Sequence, residues 1–120
     1  LELLFASFLE KCPEVVSYTK NYLAVHFSID YVNSDGNISS YYPDFIVKSS
    51  DKDIYIIETK GLEDLDVPLK MERLKKWVQD INYSQKKYRF DFVFVDEEEF
   101  DKYKPDTFLA LVKNFKKYKE

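Results

Sequence analysis

Two apolar segments in the middle of the chain predict neighbouring β-strands: Tyr42-Pro43-Asp44-Phe45-Ile46-Val47 and Ile54-Tyr55-Ile56-Ile57-Glu58-Thr59-Lys60-Gly61. Side chains alternate across a strand with a period of two, so Glu58 and Lys60 project from one face while Thr59 points away. If the strands pair as a hairpin through residues 49–53, Asp44 arrives beside Glu58. The sequence therefore predicts a cation site with two carboxylates and a lysine at its rim.

The composition predicts one folded domain over residues 1–120. A chain of 120 residues, 45% hydrophobic and 18% aromatic, is long enough for one compact core and too short for two. Cys12 and His26 are the only residues of their types, which excludes a disulfide framework and a zinc cluster. We interpret the isolated His26 as structural. Any metal must therefore bind to oxygen ligands.

The chain begins at Leu1, without an initiator methionine, and its first residues already follow a helical pattern. We therefore expect it to be a piece of a larger protein. No apolar run approaches the ~20 residues that span a bilayer, and no basic segment precedes an apolar one as in a signal peptide. These features predict a soluble, cytoplasmic protein with no membrane association.

The net charge of −4 has the wrong sign for a protein that binds nucleic acid over its whole surface. Basic residues are nevertheless concentrated in two stretches, residues 70–89 and 113–119. Two interpretations remain open at this stage. The stretches are either solvated faces of amphipathic helices or local contacts for phosphates.

Apolar periodicity gives an order of elements. A first helix carries Leu1, Leu4, Phe5, Phe8 and Leu9 on one stripe and ends before Pro13. One or two strands lie between Val15 and Val32, and residues 33–36 form a turn. The next strand spans Ile38–Val47, with an irregularity at Pro43, which donates no backbone hydrogen bond. The strand Ile54–Lys60 is apolar enough to be buried on both faces.

The second half of the chain predicts a helix, a strand and a helix. Pro68 suits the first turn of the second helix, whose apolar stripe comprises Leu69 or Met71, Leu74, Trp77, Val78 and Ile81. A strand follows at Tyr88–Val95. Asp106 is the predicted N-cap of a last helix with Phe108, Leu109, Val112 and Phe115 directed inward. A helix between the third and fourth strands favours an α/β fold, a mixed sheet flanked by helices.

The pattern Pro43-Asp44, thirteen residues (45–57) and then Glu58-Thr59-Lys60 resembles the PD-(D/E)xK nuclease superfamily. The order of elements is similar to the αβββαβ core of the restriction-endonuclease-like fold. Most of the chain further resembles the C-terminal endonuclease domain of the restriction subunit of type III restriction enzymes and related helicase-linked proteins. The shared features are the two strands quoted above and the later Lys70 and Trp77.

This resemblance implies a metal-dependent endonuclease that hydrolyses phosphodiester bonds of double-stranded DNA. Asp44 and Glu58 would bind Mg²⁺, with Mn²⁺ able to replace it, because both ions prefer hard oxygen ligands. The backbone carbonyl of Thr59 would be a further metal ligand, and Glu2 on the first helix an extra carboxylate. Lys60 would orient the attacking water or stabilise the developing anion. The implied partners are a helicase domain in the parent chain and a modification or specificity subunit.

Each of these residues also has a structural interpretation. Asp44 fits a turn after proline, and Glu58 with Lys60 fits an exposed ion pair along one strand face. Lys70 either positions a phosphate or simply begins a helix, and Trp77 suits the core better than a base-stacking surface. The alternative function is a non-catalytic module of the same fold that docks onto DNA or a partner subunit. A nuclease for RNA or branched DNA is not separated by sequence.

Overall fold

The computed structural model describes residues 2–20, 27–61 and 64–119. His26, interpreted from the sequence as structural, lies outside these residues. The elements, in chain order, are α1 (Glu2–Lys11), β1 (Ser17–Lys20), β2 (Ile29–Val32), β3 (Ile38–Tyr41), β4 (Phe45–Lys48), β5 (Asp53–Lys60), α2 (Val67–Ser84), β6 (Arg89–Asp96), α3 (Glu97–Tyr103) and α4 (Phe108–Asn114).

Four strands form a mixed sheet in the order β1-β4-β5-β6. The pairs β1–β4 and β4–β5 are antiparallel, whereas β6 runs parallel to β5 because α2 carries the chain back across the sheet. The β4–β5 turn is closed by Ser50, whose Oγ accepts hydrogen bonds from the amides of Lys52 and Asp53. The predicted mixed sheet flanked by helices is therefore confirmed as an α/β fold.

The strands β2 and β3 form a separate hairpin, so the predicted continuous strand Ile38–Val47 is wrong. The chain leaves β3 after Tyr41 and begins β4 at Phe45, with Pro43 at the break. Proline donates no ladder hydrogen bond and interrupts strand pairing. The predicted irregularity beside Asp44 is confirmed, and it is large enough to move β3 out of the main sheet.

The turn of this hairpin confirms the prediction for residues 33–36. The Oδ1 atom of Asn33 accepts hydrogen bonds from the amides of Asp35 and Asn37, each at 3.0 Å. Gly36 has a φ of 84°, a left-handed conformation that glycine adopts without steric cost. The sequence of this turn thus determines its backbone geometry locally.

The sheet is covered on both faces. On one face, Phe5 of α1 packs against Phe45 of β4 with ring centroids 5.2 Å apart. On the other face, α2 packs with the hairpin over Ile56 of β5. Each fully buried side chain of this size contributes about 1.5–3 kcal/mol relative to exposure. The prediction that β5 is buried on both faces is confirmed, and its carboxyl end is held between two packed layers.

The long helix α2 begins at Val67 with Pro68 in its first turn, as predicted. Its buried residues are Val67, Met71, Leu74 and Val78. Trp77 contacts the rings of Phe27 and Phe90, which supports its interpretation as a core residue. No helix in the described part of the chain combines the length and apolar character required to cross a bilayer.

Two predictions for the outer helices are wrong in detail. The N-cap of α4 is Thr107, whose Oγ1 accepts from the amide of Ala110, and Asp106 lies one residue earlier. In the helix that begins after Thr107, Leu111 faces the core and Leu109 is 57% exposed. Leu4 of α1 is likewise 57% exposed, so it does not join the predicted apolar stripe.

The short helix α3 was not predicted, because its sequence has no apolar periodicity. Asp96 caps it by accepting a hydrogen bond from the amide of Glu98. Its first turn contains Glu97, Glu98 and Glu99. Negative side chains are favourable at a helix N-terminus, where the peptide dipoles present partial positive charge. The acidic run is thus a helix start.

Candidate functional site

Asp44 lies at the break between β3 and β4, and its conformation is held by β5. Its amide donates to the carbonyl of Ile57 at 3.1 Å, which extends the β4–β5 pairing by one residue. Its Oδ2 atom accepts two hydrogen bonds from Thr59, from the amide at 2.9 Å and from Oγ1 at 2.8 Å. The predicted hairpin therefore places Asp44 against the carboxyl end of β5.

Glu58 lies beside Asp44 and is only 7% exposed. Its Oε1 atom is buried without a hydrogen-bond partner among the described residues. Burial and the neighbouring charge of Asp44 raise the pKa of Glu58 to about 9. Two carboxyl groups this close disfavour simultaneous ionisation. Without a bound cation, the pair therefore holds a proton on Glu58 at neutral pH.

Glu2 approaches the same carboxylates from α1, on the opposite side of the sheet from α2. Burial is the main cause that raises the pKa of Asp44, the Thr59 hydrogen bonds oppose it, and Glu2 raises it further. Glu2 Oε2 also forms an ion pair with Lys20 Nζ at 3.3 Å. The structure thus brings Glu2 next to Asp44, as expected for an extra carboxylate.

Lys60 ends β5 on the same strand face as Ile56 and Glu58, by the alternation of side chains. It is half-buried and stands opposite Asp96 in the register with β6. Thr59 has the other parity and is buried. Asp44, Glu58 and Thr59 therefore meet at one end of the sheet, and Lys60 follows two residues after Glu58 on the same strand face.

Lys70 of α2 also belongs to this site. Its Nζ lies 5.8 Å from the ring centroids of both Tyr31 and Tyr41, and its charge opposes the increase in the pKa of Glu58. Other lysines of the basic stretch are engaged elsewhere: Lys76 pairs with Asp80, and Lys86 donates to the carbonyl of Asn82. The basic stretch therefore contributes one cation to the site and several to the helix surface.

Tyr41 is a site residue that the sequence analysis missed. It is 2% exposed, and its hydroxyl lies next to Glu58 without a hydrogen-bond partner in the described residues. Its only sequence signal is its position directly before Tyr42-Pro43-Asp44. That signal is weak in a chain with ten tyrosines.

The donor set fits a hard divalent cation. Asp44 and Glu58 offer carboxylate oxygens, and Glu58 Oε1 is a buried acceptor that no described group satisfies. Mg²⁺ binds to proteins through one or two carboxylates and completes its shell with water or substrate oxygens. Within residues 2–20, 27–61 and 64–119, no group of three or more His, Cys, Asp or Glu side chains is arranged to hold a metal ion. The carboxylate pair is therefore the centre of any such site.

No protein-family model matches the chain, and neither the curated proteins nor the solved structures contain a significant match. Function is therefore inferred from the positions of Asp44, Glu58 and Lys60 and from the residues around them.

Proposed function

We propose that this chain is a metal-dependent endonuclease domain of the PD-(D/E)xK type, which hydrolyses phosphodiester bonds in double-stranded DNA. One observation carries the proposal. Asp44 and Glu58 lie side by side at the end of β5, where Lys60 shares the strand face of Glu58. A buried carboxylate beside a half-buried one destabilises a fold, because each loses hydration and repels the other. We take their presence as support for a functional role.

The order of elements supports the same proposal. Without the β2–β3 hairpin, the chain reads α1, β1, β4, β5, α2 and β6, with the last two strands parallel. This order, which α3 and α4 follow, resembles the αβββαβ core of the restriction-endonuclease-like fold. The hairpin would then be an insertion between the first and second core strands, one that adds Tyr41 to the site.

The residues have distinct roles in this proposal. Asp44 and Glu58 would hold Mg²⁺ or Mn²⁺, together with the backbone carbonyl of Thr59. When bound there, the cation would supply Lewis-acid stabilisation of charge that develops on the scissile phosphate. Lys60 would orient the attacking water or donate a charge-assisted hydrogen bond to the developing anion. Glu2 would remain a supporting carboxylate on the far side of Asp44.

From the same resemblance we propose a parent enzyme and partner subunits for this domain. The domain would be the cleavage module of a type III restriction enzyme or another helicase-linked enzyme. A helicase domain in the parent chain would deliver the DNA, and a modification or specificity subunit would select the site. The net charge of −4 predicts weak binding of DNA by this chain alone and strong sensitivity of that binding to salt.

One observation favours the alternative of a non-catalytic docking module with the same fold. The described residues offer two adjacent carboxylates rather than a complete group of three metal-ligating side chains. A substrate phosphate is a ligand in nuclease sites, so two carboxylates suffice for the first proposal. The two functions differ in one measurable property, the dependence of strand cleavage on divalent metal.

The deciding experiment is nicking of supercoiled plasmid at low salt with Mg²⁺ or Mn²⁺, beside an EDTA control. The test variant is Asp44→Asn, which removes the charge and retains the size. Asp51→Asn is its matched control, because Asp51 is exposed in the β4–β5 turn at the other end of β5. We expect metal-dependent nicking that Asp44→Asn abolishes and Asp51→Asn preserves. DNA binding without any metal-dependent nicking would favour the docking module.

A further inference from the structure

Two neighbouring side chains at the site each carry a buried oxygen atom that has no partner among the residues the structure describes. Tyr41 Oη and Glu58 Oε1 are both without a hydrogen bond among the described residues, although the hydroxyl lies beside the carboxylate. Buried polar atoms in folded proteins are almost always satisfied, and exceptions call for a functional reason. A phenol is a neutral donor, and a carboxylate is an acceptor.

The ring of Tyr41 is held in place independently of its hydroxyl. It packs in the α2 core, with Lys70 Nζ 5.8 Å from the ring centroid. Tyr31 flanks Lys70 at the same distance from its own ring. The hydroxyl of Tyr31, however, donates to Asp66 Oδ2 at 3.2 Å. The rings of the two tyrosines therefore lie on the same lysine, whereas their hydroxyls differ: that of Tyr31 donates to Asp66, and that of Tyr41 lies beside Glu58.

The two carboxylates of the site also differ in their support. Asp44 receives two hydrogen bonds from Thr59, whereas Glu58 Oε1 receives none within the described residues. Carboxylates that bind metals are themselves hydrogen-bonded by residues behind them, which fix their orientation. The Tyr41 hydroxyl lies beside Glu58 and is placed to support its carboxylate, as the hydrogen bonds from Thr59 support that of Asp44.

We propose that Tyr41 is a positioning residue of the nuclease site, whose hydroxyl donates to Glu58 and fixes the orientation in which this carboxylate binds a divalent cation. The inference rests on the proposed function and adds a residue that lies outside the Asp-Glu-Lys pattern. It also gives the β2–β3 hairpin a role, since the hairpin brings Tyr41 to the site from outside the main sheet.

The test compares Tyr41→Phe with Tyr31→Phe. Each variant removes one hydroxyl and keeps the ring beside Lys70. The first readout is Mn²⁺ binding by isothermal titration calorimetry, and the second is the half-saturating Mg²⁺ concentration for plasmid nicking. We expect Tyr41→Phe to weaken Mn²⁺ binding about tenfold and to raise the half-saturating Mg²⁺ concentration similarly. Excess Mg²⁺ should restore most of the nicking rate, and Tyr31→Phe should stay close to wild type in both readouts.

The outcomes separate this inference from the proposed function. Wild-type protein that binds no Mn²⁺ and nicks no DNA would overturn both. Wild-type binding and nicking with an unchanged Tyr41→Phe variant would overturn the role of Tyr41 alone. Equal losses in both variants would also overturn it, because they would reflect the packing around Lys70. Thermal unfolding in EDTA checks that the variants fold, which we expect because each keeps its aromatic ring in the α2 core.

Discussion

Thr59 donates two hydrogen bonds to one oxygen of Asp44, from its amide at 2.9 Å and from its hydroxyl at 2.8 Å. The central residue of the Glu-x-Lys pattern thus fixes the carboxylate of Asp44, which lies directly before β4. Because side chains alternate between the two faces of a strand, the Thr59 side chain is directed away from Glu58 and Lys60 and holds Asp44 from the other face of β5.

The first prediction concerns this support. Thr59→Val removes the hydroxyl hydrogen bond and retains the branched shape that suits a strand. We expect the free energy of unfolding to fall by about 1–2 kcal/mol, because one hydrogen bond to a charged, partly buried acceptor is lost. Urea denaturation measures this loss. Thr59→Ser keeps the hydroxyl and should retain most of the nicking activity that Thr59→Val loses; equal activity in the two variants would contradict the role of the hydroxyl.

The second prediction follows from the protonation of Glu58. Its pKa is about 9 in the folded chain, against an ordinary value of 4.5 for a glutamate. Between these values, the native state holds a proton that the unfolded state releases. The free energy of unfolding therefore decreases as pH rises through this range, with a slope of at most about 1.4 kcal/mol per pH unit.

Glu58→Gln removes this titration and should flatten the pH dependence of stability in EDTA between about pH 5 and about pH 9. The variant should also be more stable than wild type at the alkaline end, because no carboxylate must then ionise beside Asp44. Glu72→Gln, at an exposed position on α2, is the control and should follow wild type. Identical slopes for wild type and Glu58→Gln would mean that Glu58 is ionised throughout.

Much of the site was predictable because its determinants are local. The short β4–β5 connection places Asp44 beside Glu58, and the alternation within β5 puts Lys60 on the strand face of Glu58. Lys70 and Tyr41 were not assigned in this way, since each reaches Glu58 through packing between distant elements. The separation of β3 from the main sheet was not predicted either, because Pro43 indicates an irregularity but not whether the strand bends or ends there.

The third prediction concerns which face of α4 is buried, because Leu109 was wrongly predicted to point inward. Leu111 is fully buried against the α1 side of the sheet, whereas Leu109 is 57% exposed. Leu111→Ala should lower the free energy of unfolding by about 2–5 kcal/mol, because it leaves a cavity in the core. Leu109→Ala has the same change in composition and should cost roughly 0.5 kcal/mol or less. Similar losses in the two variants would contradict the phase of the helix.

The last prediction separates chemistry from folding at Lys60. Lys60 is half-buried at the end of β5, so Lys60→Ala removes a charge without opening a core cavity. We expect the variant to unfold at nearly the wild-type temperature and to bind Mn²⁺, because the carboxylate pair is intact. Nicking should nevertheless fall by at least about a hundredfold, the size of a typical loss of general acid–base or electrostatic assistance. Lys52→Ala, in the exposed β4–β5 turn, removes the same charge far from the carboxylates and should nick normally. Undiminished nicking by Lys60→Ala would remove this lysine from the mechanism and leave Lys70, whose charge acts on Glu58, as the candidate for that task.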